Sequence, residues 1–171
     1  MKNLILVILT GLFMVSCGKS SNKDNEAAPE KVTNKYVVSI EAIYQKNDSC
    51  VVVIYDENNN EVLDKRSKIA IKGMEVSQKI NVDLPEGVQP YNIGLGLSTN
   101  KEQTNITLTK IAVLKNDKII AGNPSEGYLP YFSNNDCIVI DPNTLKHSLK
   151  HDKPYSPGLV GSERLKAALS N

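Results

Sequence analysis

Cysteine and histidine carry the most reactive side chains in this chain, and there are few of them: Cys17, Cys50, Cys137, His147 and His151. His147 and His151 have the spacing that, on a helix, lets two imidazoles on one face share a metal. Residues 146–153, however, are lysine-rich and lack an apolar face. They read as solvated surface, and no metal site is expected. Cys50 and Cys137 lie in apolar, strand-like stretches. A disulfide between them would close a loop of almost ninety residues and contribute about 4 kcal/mol on the chain-entropy model. It would also need α-carbons within about 7 Å. Two separate buried thiols, packing as small hydrophobes, are the simpler expectation. The chain has no Gly-x-Ser-x-Gly elbow, no glycine-rich phosphate loop before a helix and no His-Glu-x-x-His. It is therefore expected to be non-catalytic and to need no cofactor.

Cys17 stands in a different context. Lys2 supplies a positive start, and Leu4 to Leu9 with Leu12 to Val15 supply a short apolar run, the form of a signal peptide over residues 1–16. Sixteen residues are short for a permanent membrane span. Met14-Val15-Ser16-Cys17 resembles the lipobox of bacterial lipoproteins. That resemblance implies diacylglycerol on the Cys17 thiol, cleavage before it and acylation of the new amine. Two or three acyl chains anchor stably where one is marginal. Residues 17–34 are polar and almost free of apolar side chains, so they read as a lipidated Cys followed by a disordered tether. Within them, Lys23-Asp24-Asn25-Glu26 resembles the charged export signal of surface lipoproteins of Bacteroidota. Gly18 stands where enterobacterial lipoproteins retained at the inner membrane carry Asp. The resemblance thus implies an outer-membrane or cell-surface address, with the membrane as a partner through the lipid anchor.

The remaining length allows one ordinary domain. With 20 basic and 19 acidic residues there is no basic excess, which argues against a nucleic-acid partner. Aromatic content is only 5% and Trp is absent. β-Branched apolar residues are plentiful instead and favour an all-β core.

Residues 35–141 read as a succession of short strands. Val38, Ile40, Ala42 and Tyr44 share one parity, and residues 49–55 form a nearly continuous apolar run suited to a central strand. Ile80, Val82 and Leu84, then Ile93, Leu95 and Leu97, alternate with small or polar residues. Ile106 and Leu108 are out of phase with Ile111 and Val113, the mark of a β-bulge near Thr109-Lys110. Lys115-Asn116-Asp117-Lys118 is a tight turn. Residues 142–171 read as a polar tail packed on the domain, with one short helix over 162–170 carrying Leu165 and Leu169. Many short strands at close spacing predict a two-sheet antiparallel β-sandwich. Gln78-x-Ile80-x-Val82-x-Leu84-Pro85, the Ile93/Leu95/Leu97 strand and Ile106-x-Leu108-x-x-Ile111-x-Val113 look like the late strands of galactose-binding-like jelly rolls. The likeness spans roughly residues 36–121 and rests on hydrophobic pattern. It implies carbohydrate binding only by analogy of fold.

A sugar site needs an aromatic face with polar side chains around it. Without Trp, the platform must be a tyrosine, and Tyr91, beside Pro90, is the best placed to lie at a rim. Asn92, Gly94 and Gly96 face away from the apolar parity, and glycine inside a strand often marks close approach by a ligand or another backbone. With Lys79 and Asn81 from a neighbouring strand they would make a shallow polar groove. Coverage of that surface by the chain's own tail or loop is the competing expectation. The sequence thus predicts an envelope protein that binds glycan, or else an accessory subunit docked on an envelope protein.

Overall fold

The computed structural model describes residues 34–171. Residues 1–16, Cys17 and the tether up to residue 33 lie outside the described residues. Two antiparallel sheets pack face to face into a β-sandwich. The strands are β1 (Tyr36–Tyr44), β2 (Asp48–Tyr55), β3 (Ser67–Ile71), β4 (Gln78–Asp83), β5 (Asn92–Gly96), β6 (Asn105–Lys115), β7 (Lys118–Ala121), β8 (Phe132–Asn134), β9 (Ile138–Asp141), β10 (Lys146–Leu149) and β11 (Gly158–Gly161). A terminal helix, α1 (Glu163–Ser170), follows. One sheet runs β4-β1-β6-β10-β9, with β7 also on β6, and the other runs β3-β2-β5-β11-β8. Most connections cross from one sheet to the other, the jelly-roll manner of building a sandwich.

The period-two pattern dictates the core. Val38, Ile40, Ala42 and Tyr44 of β1 are fully buried, as are Cys50 and Val52 of β2, and they face each other's layers. The long strand β6 serves both ends of its sheet because of one irregularity. Glu41 of β1 pairs with Lys110 and Ala42 with Leu108, which leaves Thr109 as the extra residue of a bulge. Its hydroxyl donates to the Glu41 carbonyl at 3.0 Å. The extra residue resets the phase, so that Ile106, Leu108, Ile111 and Val113 all point inward. The β6–β7 hairpin turns through Asn116 and Asp117 at φ 50° and 64°, both left-handed as a two-residue hairpin requires.

The expected boundary at residue 141 is too early. β10 pairs with both β6 and β9, and β11 lies between β5 and β8. Residues 142–171 are therefore part of both sheets rather than a tail packed on them. The helix is where the pattern placed it, with Leu165 and Leu169 buried. Among the described residues, no helix is long and apolar enough to cross a membrane.

His147 also departs from expectation. It sits on a strand, not a helix, and is fully buried. Its Nδ1 faces the Leu145 carbonyl at 2.9 Å and its Nε2 faces the Tyr128 hydroxyl at 2.9 Å. A carbonyl only accepts, so Nδ1 carries the proton and Tyr128 donates to Nε2. Burial pushes the Tyr128 hydroxyl up to about 12 and holds the His147 imidazole below its ordinary value. The unfolded chain takes up this proton below about pH 6.5, and the folded chain resists it. Stability is therefore expected to fall as pH drops below about 6.5. Urea midpoints measured between pH 7.5 and 5 check this: a His147→Asn variant should be less stable at pH 7.5 but show a shallower pH slope. An unchanged slope would contradict it. His151 is half-buried, with Nε2 3.1 Å from the Gln103 carbonyl.

Candidate functional site

The residues singled out in the sequence are distributed over separate surfaces. The chain crosses between layers after Leu84, so β4 and β5 are successive in sequence but belong to opposite sheets. Lys79 and Asn81 lie on the outer face of the first sheet, beside Ser39, Lys110 and Ala112. Asn92, Gly94 and Gly96 lie on the second. A groove shared by the two sets is not formed.

Asn92 is buried and committed to the fold. Its Nδ2 donates to the Gly161 carbonyl at 2.9 Å, and its Oδ1 accepts from the Ile93 amide at 2.8 Å. This ties β5 to the far end of β11. A Cβ at Gly161 would stand 2.0 Å from that Oδ1, which is why glycine is required there. Gly94 is covered, but by neither tail nor loop. A Cβ there would meet Val53 Cγ2 at 2.7 Å and the Tyr55 ring at 2.9 Å, so the β2 side chains already occupy the space. Gly96 is open, with only Val51 within reach at 3.6 Å. It lines a shallow groove of about 360 Å³ with Val51, Val53, Gly158 and Val160. Several of the polar groups at its margin are bonded to neighbouring groups. Tyr155 donates to Asp136 at 2.6 Å, Asn135 donates to the Ser156 carbonyl at 3.0 Å, and Arg66 pairs with Glu61. Val51, Val53 and Val160 share that lining with Tyr55 and Tyr155.

A larger cavity of about 720 Å³ opens at the end of the sandwich around Tyr91. Four segments build it. The first is the loop after β2. Asp56 Oδ1 accepts from the amides of Asn58 and Asn60 at 2.9 and 2.8 Å, and Asn59 takes a left-handed φ of 58°. The local Asp-Glu-Asn-Asn-Asn sequence thus folds on its own side chain. The second is the β4–β5 crossing, turned by Gly87 at φ 71°. Gln89 clamps it, accepting from the Tyr36 hydroxyl at 2.8 Å and donating to the Leu169 carbonyl at 2.9 Å. The third and fourth are the end of β6, with Lys115, and helix α1, with Lys166 and Ser170.

Tyr91 as a whole residue is 40% exposed. The Lys166 ammonium lies 5.5 Å from its ring centroid and 2.8 Å from Glu163. That carboxylate raises the Lys166 pKa above its ordinary value, so the ammonium stays charged. The Lys115 ammonium lies 5.9 Å from the centre of the Tyr36 ring. The cavity therefore joins one exposed aromatic face, carboxylates from Asp56 and Glu57, the amide of Asn58 and two ammonium groups. Its volume is in the range of small-ligand sites. Tyr91 was legible beside Pro90. Asp56 and Asn58 were visible only as turn formers, and Lys115 and Lys166 gave no signal, because a strand end and a remote helix bring them in.

Cys50 and Cys137 are free and buried, so the disulfide alternative is not realised. Cys50 is on the inward side of β2 and Cys137 follows β8. Three strand spacings separate β2 from β8, on the order of 14 Å, twice what a bridge spans. Burial pushes the Cys50 thiol up to about 12, and it is inert. Among the described residues, no three His, Cys, Asp or Glu side chains gather as a metal site.

These features define a two-sheet antiparallel β-sandwich with a polar, tyrosine-bearing cavity at one end. No family model, curated protein or solved structure matches the chain.

Proposed function

We propose that this chain is a non-catalytic, lipid-anchored protein of the outer membrane or cell surface, and that its sandwich binds glycan in the cavity around Tyr91. The observation that carries the reading is that cavity. An exposed tyrosine face is bordered by carboxylate, amide and ammonium groups, the combination that sugar C–H faces and hydroxyls need. The anchor rests on the sequence around Cys17. The strand pattern's likeness to galactose-binding-like jelly rolls points the same way, as analogy.

One series of proteins tests both parts. The full chain should fractionate with membranes, and the Cys17→Ala variant should be released. That released variant should then bind members of a glycan array. Adding Tyr91→Ala should weaken binding about tenfold, the scale of one aromatic contact, while the circular dichroism of the sandwich is retained. Retention of Cys17→Ala in membranes would contradict the anchor. Empty arrays, or binding indifferent to Tyr91, would contradict the site and favour an accessory subunit docked on an envelope protein.

A further inference from the structure

We infer that the cavity selects sugars that carry a carboxylate, and that Lys115 is the residue that recognises it. This rests on the glycan reading of the same cavity and adds the class of ligand.

The charges around the cavity are not equivalent. Lys166 is held in place, its side chain only 17% exposed, by Glu163 and the Tyr91 ring. Its charge is already matched by an intramolecular partner. Lys115 is half-buried at the end of β6, with its ammonium steadied over the Tyr36 ring. No carboxylate among the described residues lies within ion-pair distance of it. It is a cation without an ion-pair partner at the wall of the Tyr91 cavity. Asp56 and Glu57 line the same cavity and keep their charges, but neither lies within ion-pair distance of Lys115. Asp56 Oδ1 accepts from two amides of its own loop, and Glu57 is an exposed loop side chain. Both are suited to accept from sugar hydroxyls, as uncommitted carboxylate oxygens do. A hexuronic acid has both halves of this pattern: hydroxyls for Asp56, Glu57 and Asn58, and one carboxylate for Lys115. A neutral hexose would leave the ammonium unmatched. The charge-assisted contact is the stronger kind of hydrogen bond.

The test measures binding of the full chain, purified in detergent, to D-glucuronate against D-glucose and to D-galacturonate against D-galactose by calorimetry. The expected result is a preference of about tenfold for the acid in at least one pair. That ratio should shrink as salt is raised. Lys115→Met keeps the apolar stem over Tyr36 and should bring the ratio to about one. Lys118→Met removes a neighbouring charge on the same hairpin, outside the cavity, and should leave the ratio intact. Equal affinity for acid and neutral sugar, or a preference that survives Lys115→Met, would overturn the inference while leaving the cavity a glycan site. A ratio lost equally in Lys118→Met would also overturn it, because the effect would be general charge. Binding of no sugar at all would overturn the glycan reading itself, and this inference with it.

Discussion

A chain ending at Pro157 is expected not to fold. The deleted segment looks dispensable in sequence, being polar and at the terminus, but it contains β11 and α1. β11 is an interior strand of its sheet, between β5 and β8. Its removal strips β8 of its partner and leaves the β5 edge unpaired. It also removes Leu159, Leu165 and Leu169, each at most 1% exposed. At roughly 1.5–3 kcal/mol for each buried side chain, their burial alone contributes about 5–9 kcal/mol. That is comparable with the whole stability of an ordinary domain, roughly 5–15 kcal/mol. Far-ultraviolet circular dichroism and a urea titration decide the matter. The prediction is loss of the cooperative transition. A truncated chain that unfolds cooperatively near the full chain's midpoint would show that residues 158–171 are an accessory tail.

The second large effect belongs to one buried carboxylate. Asp48, 8% exposed, opens β2 directly after the tight turn from β1. Its Oδ1 accepts from the amides of Ser49, Thr99 and Asn100 at 2.7, 2.8 and 2.9 Å, and its Oδ2 accepts from the Ser98 hydroxyl at 2.5 Å. A single side chain thus organises the loop that leaves β5 and ties it to the β1–β2 turn. Asn100 returns a bond to the Asn47 carbonyl, and Gln103 accepts from the Lys46 amide. In Asp48→Ala the amides of Thr99 and Asn100 and the buried Ser98 hydroxyl lose their acceptor together. Hydrogen bonds to a charged group contribute about 1.5–3 kcal/mol each, and water recovers part of the loss at the exposed side of the loop. A net loss of about 3 kcal/mol is expected. With a urea slope of about 2 kcal/mol/M, the midpoint should fall by about 1.5 M. Asp48→Asn retains one acceptor oxygen and should lose less. A midpoint moved by under about 0.3 M in Asp48→Ala would show that the loop is held by other contacts.

The parts of the fold that were legible are those written in local pattern. The inward parity of β1, β5 and β6 was visible because alternation identifies a face directly. The bulge at Thr109 was visible as a slip of one residue between Leu108 and Ile111. The turn at Asn116-Asp117 was visible because those residues tolerate left-handed backbone. Layer assignment was not legible. Period two says which side chains point inward, but it does not say to which sheet a strand belongs. Lys79 and Asn81 were therefore placed beside Gly94 and Gly96, although a crossing after Leu84 puts them on the opposite outer face. β10 and β11 were missed because a four-residue strand is too short to show a period. His147 was misread for the same reason: Lys146 and Ser148 beside it are exposed while it and Leu149 point inward. The candidate cavity was half legible. Tyr91 could be picked out from its own neighbours, whereas Lys115 and Lys166 reach it only through long-range topology.

Chemical-shift mapping tests the central claim, that the cavity around Tyr91 is the ligand site, most directly. Amide spectra of the Cys17→Ala chain would be recorded as a sugar retained from the array is added. The account predicts that the perturbed amides cluster at Asn58, Tyr91, Lys115 and Lys166, with those of Lys79, Gly96 and Val160 unmoved. Perturbations centred on Gly96 and Val160, or on the Lys79 face, would contradict it.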